Sequence, residues 1–293
     1  MTTNTAGQLR TKIAPYTLYA SHYNNKMENN KDKIIQGNMR KLCEACRDGN
    51  IEVVDEILSN KMVDINGRDG KYTPLIYAVN GRHLDIVKRI LQHTELDING
   101  HDSEGCTPLI SAVNACCLDI NAVNSGFLDI VKTLLEVPEL QLGNTMETCT
   151  ALHFVCMYIC FYSRDIKVSI MKLLCQDSRC SPGIVNKKTN LGYTALMMAV
   201  YNGCLDIVKE LDKEGTDFFI KDFEGTTLIE TARRKEDRAE VLEYLLERNK
   251  VDSLKVIAAH NIARYVRNKA EVEAMKIPVT VKHFLAGFVN DDE

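Results

Sequence analysis

The sequence has no long apolar run. Stretches such as Phe154 to Phe161 fall far short of the about 20 residues a helix needs to cross a bilayer, so no membrane partner is expected. Residues 1–33 are rich in Asn, Thr and Lys and lack the continuous apolar segment of a secretory signal; the expected compartment is the cytoplasm, with the nucleus also open. There is no basic block either: the formal net charge is −4, and nothing in the pattern favours nucleic acid as a partner. Also missing are a G-x-S-x-G nucleophile elbow, a Gly-rich phosphate loop, an H-E-x-x-H zinc motif and an EF-hand loop. These absences argue against an enzyme, and they give no reason to expect a cofactor or a metal.

What the chain does carry is cysteine, eleven residues in all and mostly at apolar helical positions. In a reducing compartment such residues act as small hydrophobes. Cys43-Glu-Ala-Cys46 is the only C-x-x-C spacing, and without a second pair or a spaced His pair it reads as packing rather than as a zinc site.

The chain also repeats itself. Thr73-Pro-Leu-Ile-Tyr-Ala78, Thr107-Pro-Leu-Ile-Ser-Ala112, Thr150-Ala-Leu-His-Phe-Val155 and Thr194-Ala-Leu-Met-Met-Ala199 fall in register, followed by a degenerate Thr227-Leu-Ile-Glu-Thr-Ala232. A second motif follows three of these anchors: Leu84-Asp-Ile-Val87, Leu128-Asp-Ile-Val131 and Leu205-Asp-Ile-Val208. A Thr hydroxyl can cap the free N–H groups of a helix, and Pro at the first helical position loses no hydrogen bond. Apolar residues then recur at helical spacing, and Gly81, Gly126 and Gly203 fall where one helix must reverse into the next. Each unit is therefore a helical hairpin.

This pattern resembles the ankyrin repeat, D-x-x-G-x-T-P-L-H-x-A-A followed by G-x-x-x-I-V-x-x-L-L. Asp102-Ser-Glu-Gly105-Cys-Thr107-Pro-Leu109 and Ala199-Val-Tyr-Asn-Gly203-Cys-Leu-Asp-Ile-Val208 are the best matches. With a capping unit at Leu42 to Val54, the resemblance covers six repeats over residues 39–249, preceded by a disordered tail over 1–38 and followed by a helical element over 250–293. The fold it implies is an all-α ankyrin-repeat solenoid. In that family His153 falls at a position where the imidazole bonds neighbouring backbone, a structural role.

The Thr anchors are separated by 34, 43, 44 and 33 residues, so two consecutive repeats are about ten residues too long. In the third repeat the excess is a tandem copy, Ser111 to Ile130; in the fourth it lies in Met157 to Asp165. Ten residues would rotate a continuing helix by roughly 80°. The excess is therefore expected to form an elongated corner, with the two apolar additions touching.

A solenoid of this kind offers a concave face built from inner helices and turn tips. The expected contacts to a target protein are Arg68, Lys71, Tyr72, His101, Asp102, Glu104, Lys187, Lys188, Lys221 and Phe223, with Tyr72 and Phe223 as aromatic anchors or as packing between fingers.

After Asp252, the residues Leu254, Ile257, Ala258, Ile262, Tyr265 and Val266 form one apolar stripe; beyond Lys276-Ile-Pro278, Val281, Phe284, Leu285 and Phe288 form a second. A helical cap closing the solenoid is one reading. The other comes from resemblance: Ser253 to Val266 is similar to the elongin-binding half of a SOCS box, and Met275 to Leu285 to its cullin-selecting half. Ala258 stands where that family prefers Cys, and Lys276 replaces its first Pro. Glu271 to Lys282 also resembles the F-box-like ending of some ankyrin proteins. These resemblances imply a substrate-recognition subunit of a cullin-RING ubiquitin ligase, in which Leu254, Ile257, Ala258, Ile262, Val266, Ile277, Pro278, Val281, Phe284 and Leu285 would bind elongin B/C or Skp1 and a cullin. The alternative is an ankyrin scaffold with no ligase connection.

Overall fold

The computed structural model describes residues 28 and 30–249, apart from 61, 119–125, 145, 147, 158–163 and 235–237. Helix α1 (30–48) comes first, then α2 (Ile51–Ser59), α3 (Pro74–Asn80), α4 (Leu84–Leu91), α5 (Pro108–Leu118) and α6 (Phe127–Leu135). They are followed by α7 (Ala151–Met157), α8 (Arg164–Gln176), the short α9 (Pro182–Val185), α10 (Ala195–Tyr201), α11 (Leu205–Lys213), α12 (Leu228–Arg233) and α13 (239–249). Among the described residues the only extended pairing is a pair of isolated bridges, Asp69 with Tyr72 and Met146 with Cys149, at the bases of two fingers. Helices α3, α5, α7, α10 and α12 pack in succession as an inner layer, and α4, α6, α8 and α11 line up behind them as an outer layer.

The helices start where the Thr anchors put them. Thr73 Oγ1 accepts the Ile76 N–H at 3.3 Å, Thr107 Oγ1 that of Ile110 at 3.4 Å, and Thr194 Oγ1 that of Met197 at 3.2 Å. Thr227 goes further: Glu230 reaches back to its N–H at 2.7 Å, completing a reciprocal cap. The outer helices bury the expected stripe, Ile86, Val87 and Ile90 in α4 and Ile207, Val208 and Leu211 in α11. Of the cysteines, Cys43, Cys46, Cys106, Cys116, Cys156, Cys175 and Cys204 are buried free thiols, and burial pushes Cys43 up to about 12. The Cys43 Sγ lies 3.7 Å from the Met39 Sδ inside the first unit.

Three expectations are corrected. Helix α1 begins at residue 30 and Asn38 donates to the Met62 carbonyl at 2.8 Å, so the ordered array starts inside the stretch expected to be a tail. The residue that turns the second corner is Arg82, with φ of 62°, rather than Gly81. Gly81 is needed for another reason: a Cβ there would come within 2.5 Å of the His83 ring. At the third corner Gly126 has φ of −57°, so no left-handed turn is made there either. Gly203, with φ of 69°, turns the fifth corner as expected.

Each long repeat lengthens one helix beside its corner, the third the helix before it and the fourth the helix after it. Helix α5 has 11 residues against 7 in α3 and α10, and α8 has 13 against 8 in α4. About one helical turn of each excess is thus absorbed as helix. The contact expected between the two additions lies outside the described residues.

Adjacent repeats are also stitched by hydrogen bonds along their outer loops. The Asn66 side chain donates to the Glu95 carbonyl at 2.7 Å and accepts the Asp97 N–H at 2.8 Å. Asn99 does the same with Glu139 and Gln141, and Asn186 with Gly215 and Asp217. At the fourth repeat this position is Gly143, which has no side chain to reach forward. There Arg179, from the next repeat, reaches back instead: its Nη atoms donate to the carbonyls of Leu135 at 2.7 Å, Val137 at 2.6 Å and Leu140 at 3.2 Å, while Asp177 holds the guanidinium at 2.6 Å.

Candidate functional site: the inner face

Within each repeat, the residues four and seven positions after the Thr anchor stand in register along the inner helix; at the first of these positions Ser111 and Phe154 are buried. In the second repeat they are Tyr77 and Asn80, and in the third Ser111 and Asn114. Ser111 Oγ donates to Asn80 Oδ1 at 2.7 Å, so this part of the face satisfies itself. In the fourth and fifth repeats the same positions are Phe154 and Met157, then Met198 and Tyr201. In the sixth they are Thr231 and Arg234. The inner face therefore runs polar, apolar, polar.

The apolar part is a groove of about 280 Å³ lined by Met157, Tyr193, Met197, Met198 and Tyr201, with Asn202, Asp222, Thr231 and Arg234 on its polar side. Tyr201 is 53% exposed, and Leu191 on the adjacent finger 66% exposed. Exposed aromatic and large aliphatic side chains gathered at one place are what a protein interface supplies as anchors. The groove is held from three sides. Asn202 donates to the Cys156 carbonyl at 2.7 Å, tying α10 to α7. The Arg238 guanidinium lies 4.6 Å from the Tyr201 ring centroid and donates to the Thr231 carbonyl at 2.7 Å. His153, wholly buried beneath the face, accepts the Thr150 N–H at Nδ1 (3.1 Å) and is 3.0 Å from the Lys187 carbonyl at Nε2. That geometry requires the neutral Nε2–H tautomer. Burial, the dominant cause, holds its pKa below the ordinary value, and the bond to Lys187 fixes the base of the next finger.

Many of the expected contact residues are occupied within the array. Asp102 is buried: its carboxylate accepts the N–H groups of Glu104 and Cys106, both at 2.8 Å, and so shapes the finger instead of presenting itself at the tip. Arg68 donates to the Asp102 carbonyl at 3.0 Å, and Lys71 pairs with Glu104 at 2.6 Å across neighbouring fingers. That carboxylate raises the Lys71 pKa. Tyr72 is half-buried edge-on against Tyr77, with centroids 5.2 Å apart. His101 Nδ1 lies 2.9 Å from the Asp102 carbonyl. In the later repeats, Lys187 donates to the Gly143 carbonyl at 3.0 Å and Lys188 to that of Lys221 at 2.7 Å. Phe223 is 70% exposed, yet one side of its ring covers Gly192, where a Cβ would come within 2.7 Å. Its anchor and packing roles coexist. Arg68, Lys71, His101, Glu104 and Lys221 remain exposed at the tips despite these bonds.

The expected contacts did not include Met157, Tyr193, Met197, Met198 and Tyr201, which form the groove. The signal was available: writing the repeats in register and comparing only the positions that point away from the core separates the fourth and fifth repeats from the rest. The residues expected to bind an adaptor, Leu254, Ile257, Ala258, Ile262, Val266, Ile277, Pro278, Val281, Phe284 and Leu285, all lie outside the described residues.

Lys167 is the one buried side chain among the described residues whose polar atom has no hydrogen-bond partner. It takes the place in α8 that Phe127 holds in α6. No group of three or more His, Cys, Asp or Glu among the described residues is arranged to hold a metal ion, and no described helix is long and apolar enough to cross a membrane.

No curated protein matches this sequence. Solved structures do. EF0377, an ankyrin-repeat protein, is 25% identical with a TM-score of 0.58, over 71% of this chain and 97% of that one. An ankyrin-repeat domain from Acinetobacter baumannii AYE is also 25% identical, with a TM-score of 0.57 over 70% and 95%. A chain from the complex of the Bd0816 predatory endopeptidase of Bdellovibrio bacteriovorus with immunity protein Bd3460 is 22% identical, with a TM-score of 0.50 over 71% and 97%, and shows the fold alone. The family described as ankyrin repeats matches three times, over residues 42–121, 120–222 and 159–257. With the Thr caps, the paired helices and the two-layer stack already in place, these matches make the chain a member of the ankyrin-repeat family.

Proposed function

We propose that the protein is a non-catalytic receptor that grips a target protein at the apolar groove of its fourth and fifth repeats. The observation that carries this is the change from Asn80 and Asn114 to Met157 and Tyr201 at equivalent positions of one surface, with Met198 lining the same groove. Ankyrin repeats are protein-binding modules. The groove, with Leu191 and Phe223 on the fingers beside it, supplies the buried centre of an interface, and the exposed Lys and Arg at the tips supply its polar rim. The test is co-purification from source cells with wild-type protein and with Tyr201→Asp. A protein retained by the wild type and lost from a normally folded Tyr201→Asp supports the groove; one retained equally by both contradicts it.

The finer reading is that the receptor serves a cullin-RING ubiquitin ligase. It is supported by the likeness of Ser253 to Val266 and Met275 to Leu285 to a SOCS box, or of Glu271 to Lys282 to an F-box-like ending. Residues 250–293 would then recruit elongin B/C or Skp1 and, through it, a cullin. Direct mixing of the purified protein with each adaptor decides it: a complex with either one that Leu254→Ala with Ile262→Ala abolishes supports the reading, and no complex with either returns the protein to a scaffold.

A further inference from the structure

The last repeat is open on the side where the next would stack. The residues that correspond to Ile229 in earlier repeats, Leu75, Leu109, Leu152 and Leu196, are all buried, whereas Ile229 is half-buried. Phe218 is half-buried too, although its counterparts Ile65, Ile98, Leu142 and Val185 are buried. Leu242 shows the same shortfall against Val87, Val131, Met171 and Val208. Phe218 and Ile229 border an apolar groove of about 310 Å³, lined also by Phe219, Leu228, Leu245 and Asn249, between the final finger and α13.

One substitution says what kind of unit covers this face. The position held by Asn66, Asn99 and Asn186, whose side chains bond forward to the outer-loop backbone of the next repeat, is Phe219 in the last repeat and is 63% exposed. A phenyl ring cannot make those bonds. The face is therefore finished with an apolar side chain where the earlier repeats present an amide. The described part of α13 runs to residue 249, and Asn249 itself lines the groove. Asp252, which can cap a helix, stands three residues beyond 249, and three residues of extended chain would span about 10 Å, one helix-to-helix spacing. The stripe of Leu254, Ile257 and Ile262 begins there, with 44 residues, 250–293, available beyond α13.

We propose that the segment 252–266 folds back on this end and seals Phe218, Phe219, Ile229 and Leu242 in the free protein. The proposal does not depend on the ligase reading, but it bears on it, because an adaptor that takes the same stripe has to lift it from the array. The test is hydrogen exchange on the full chain with no partner present, comparing wild type with Phe219→Asp, a change at an exposed position that leaves the repeats folded. Exchange across 252–266 should quicken at least tenfold in the variant, while peptides from α10 and α11 stay unchanged. Phe219→Leu, which keeps the face apolar, should retain the protection. Equal rates across 252–266 in wild type and Phe219→Asp, whether fast or slow, would overturn the proposal. A dimer in light scattering that Phe219→Asp dissociates would overturn it as well, by making a second copy the occupant. Adaptor mixing separates the two ideas: docking without any adaptor complex removes only the ligase reading, and an adaptor complex without protection of 252–266 removes only the docking.

Discussion

The second and third repeats and the fourth and fifth are built on one backbone plan, yet they present opposite surfaces and are joined by different means. In the earlier pair the inner face is polar and bonded to itself, as in Ser111 with Asn80, and the outer loops are stitched by Asn66 and Asn99. In the later pair the inner face is an apolar groove, and the joint between the fourth and fifth repeats is held by Arg179. In a repeat array each unit touches only its neighbours, so surface and joint can be changed locally without disturbing the stack. The later repeats have exchanged self-satisfaction for an open apolar face.

The joints differ in what their loss should cost. Arg179→Ala removes a partly buried charged donor from three carbonyls and strands Asp177, and is expected to cost about 3 kcal/mol in urea unfolding. A loss below about 1 kcal/mol would show that the guanidinium does not carry this joint. Lys167→Met works in the opposite direction. Its ammonium group is buried without a partner, and a Met of similar length is expected to stabilise the chain by about 2 kcal/mol. Asn99→Ala removes three neutral bonds at the earlier joint, to Glu139, Gln141 and Asn144, and should cost about 1 kcal/mol, a third of the effect at Arg179.

The smallest effect is one of pH. Burial lowers the His153 pKa in the folded chain, so between the folded and unfolded values the unfolded chain binds more protons. Its contribution is fully present above the ordinary value of 6.5 and is lost as the pH falls below it. Melting temperature should decline on acidification through that range, and His153→Gln should flatten the decline while lowering the temperature overall. An unchanged slope in His153→Gln would assign the pH dependence to another group.

Much of this fold was legible because its rules are local. Thr caps, Pro at helix starts and the Ile-Val and Leu stripes are read within a dozen residues, and they place the repeats correctly. The left-handed corner at Arg82 was not legible, because a non-glycine residue rarely takes that conformation and Gly81, which the His83 ring packs against, stands beside it. Nor could charge at a tip reveal that Asp102 is spent on its own finger, or that Lys71 and Glu104 neutralise each other across a gap of 33 residues. The groove was missed for a different reason: Met157, Met198 and Tyr201 look like core residues until their positions are compared across repeats.

The fourth and fifth repeats, and not the second and third, are proposed to hold the target. A photo-crosslinking amino acid placed in turn at Tyr201 and at the equivalent Asn80 tests this directly in source cells. A discrete protein adduct from position 201, absent from position 80, is the predicted result. An adduct from position 80 with none from position 201 would contradict it.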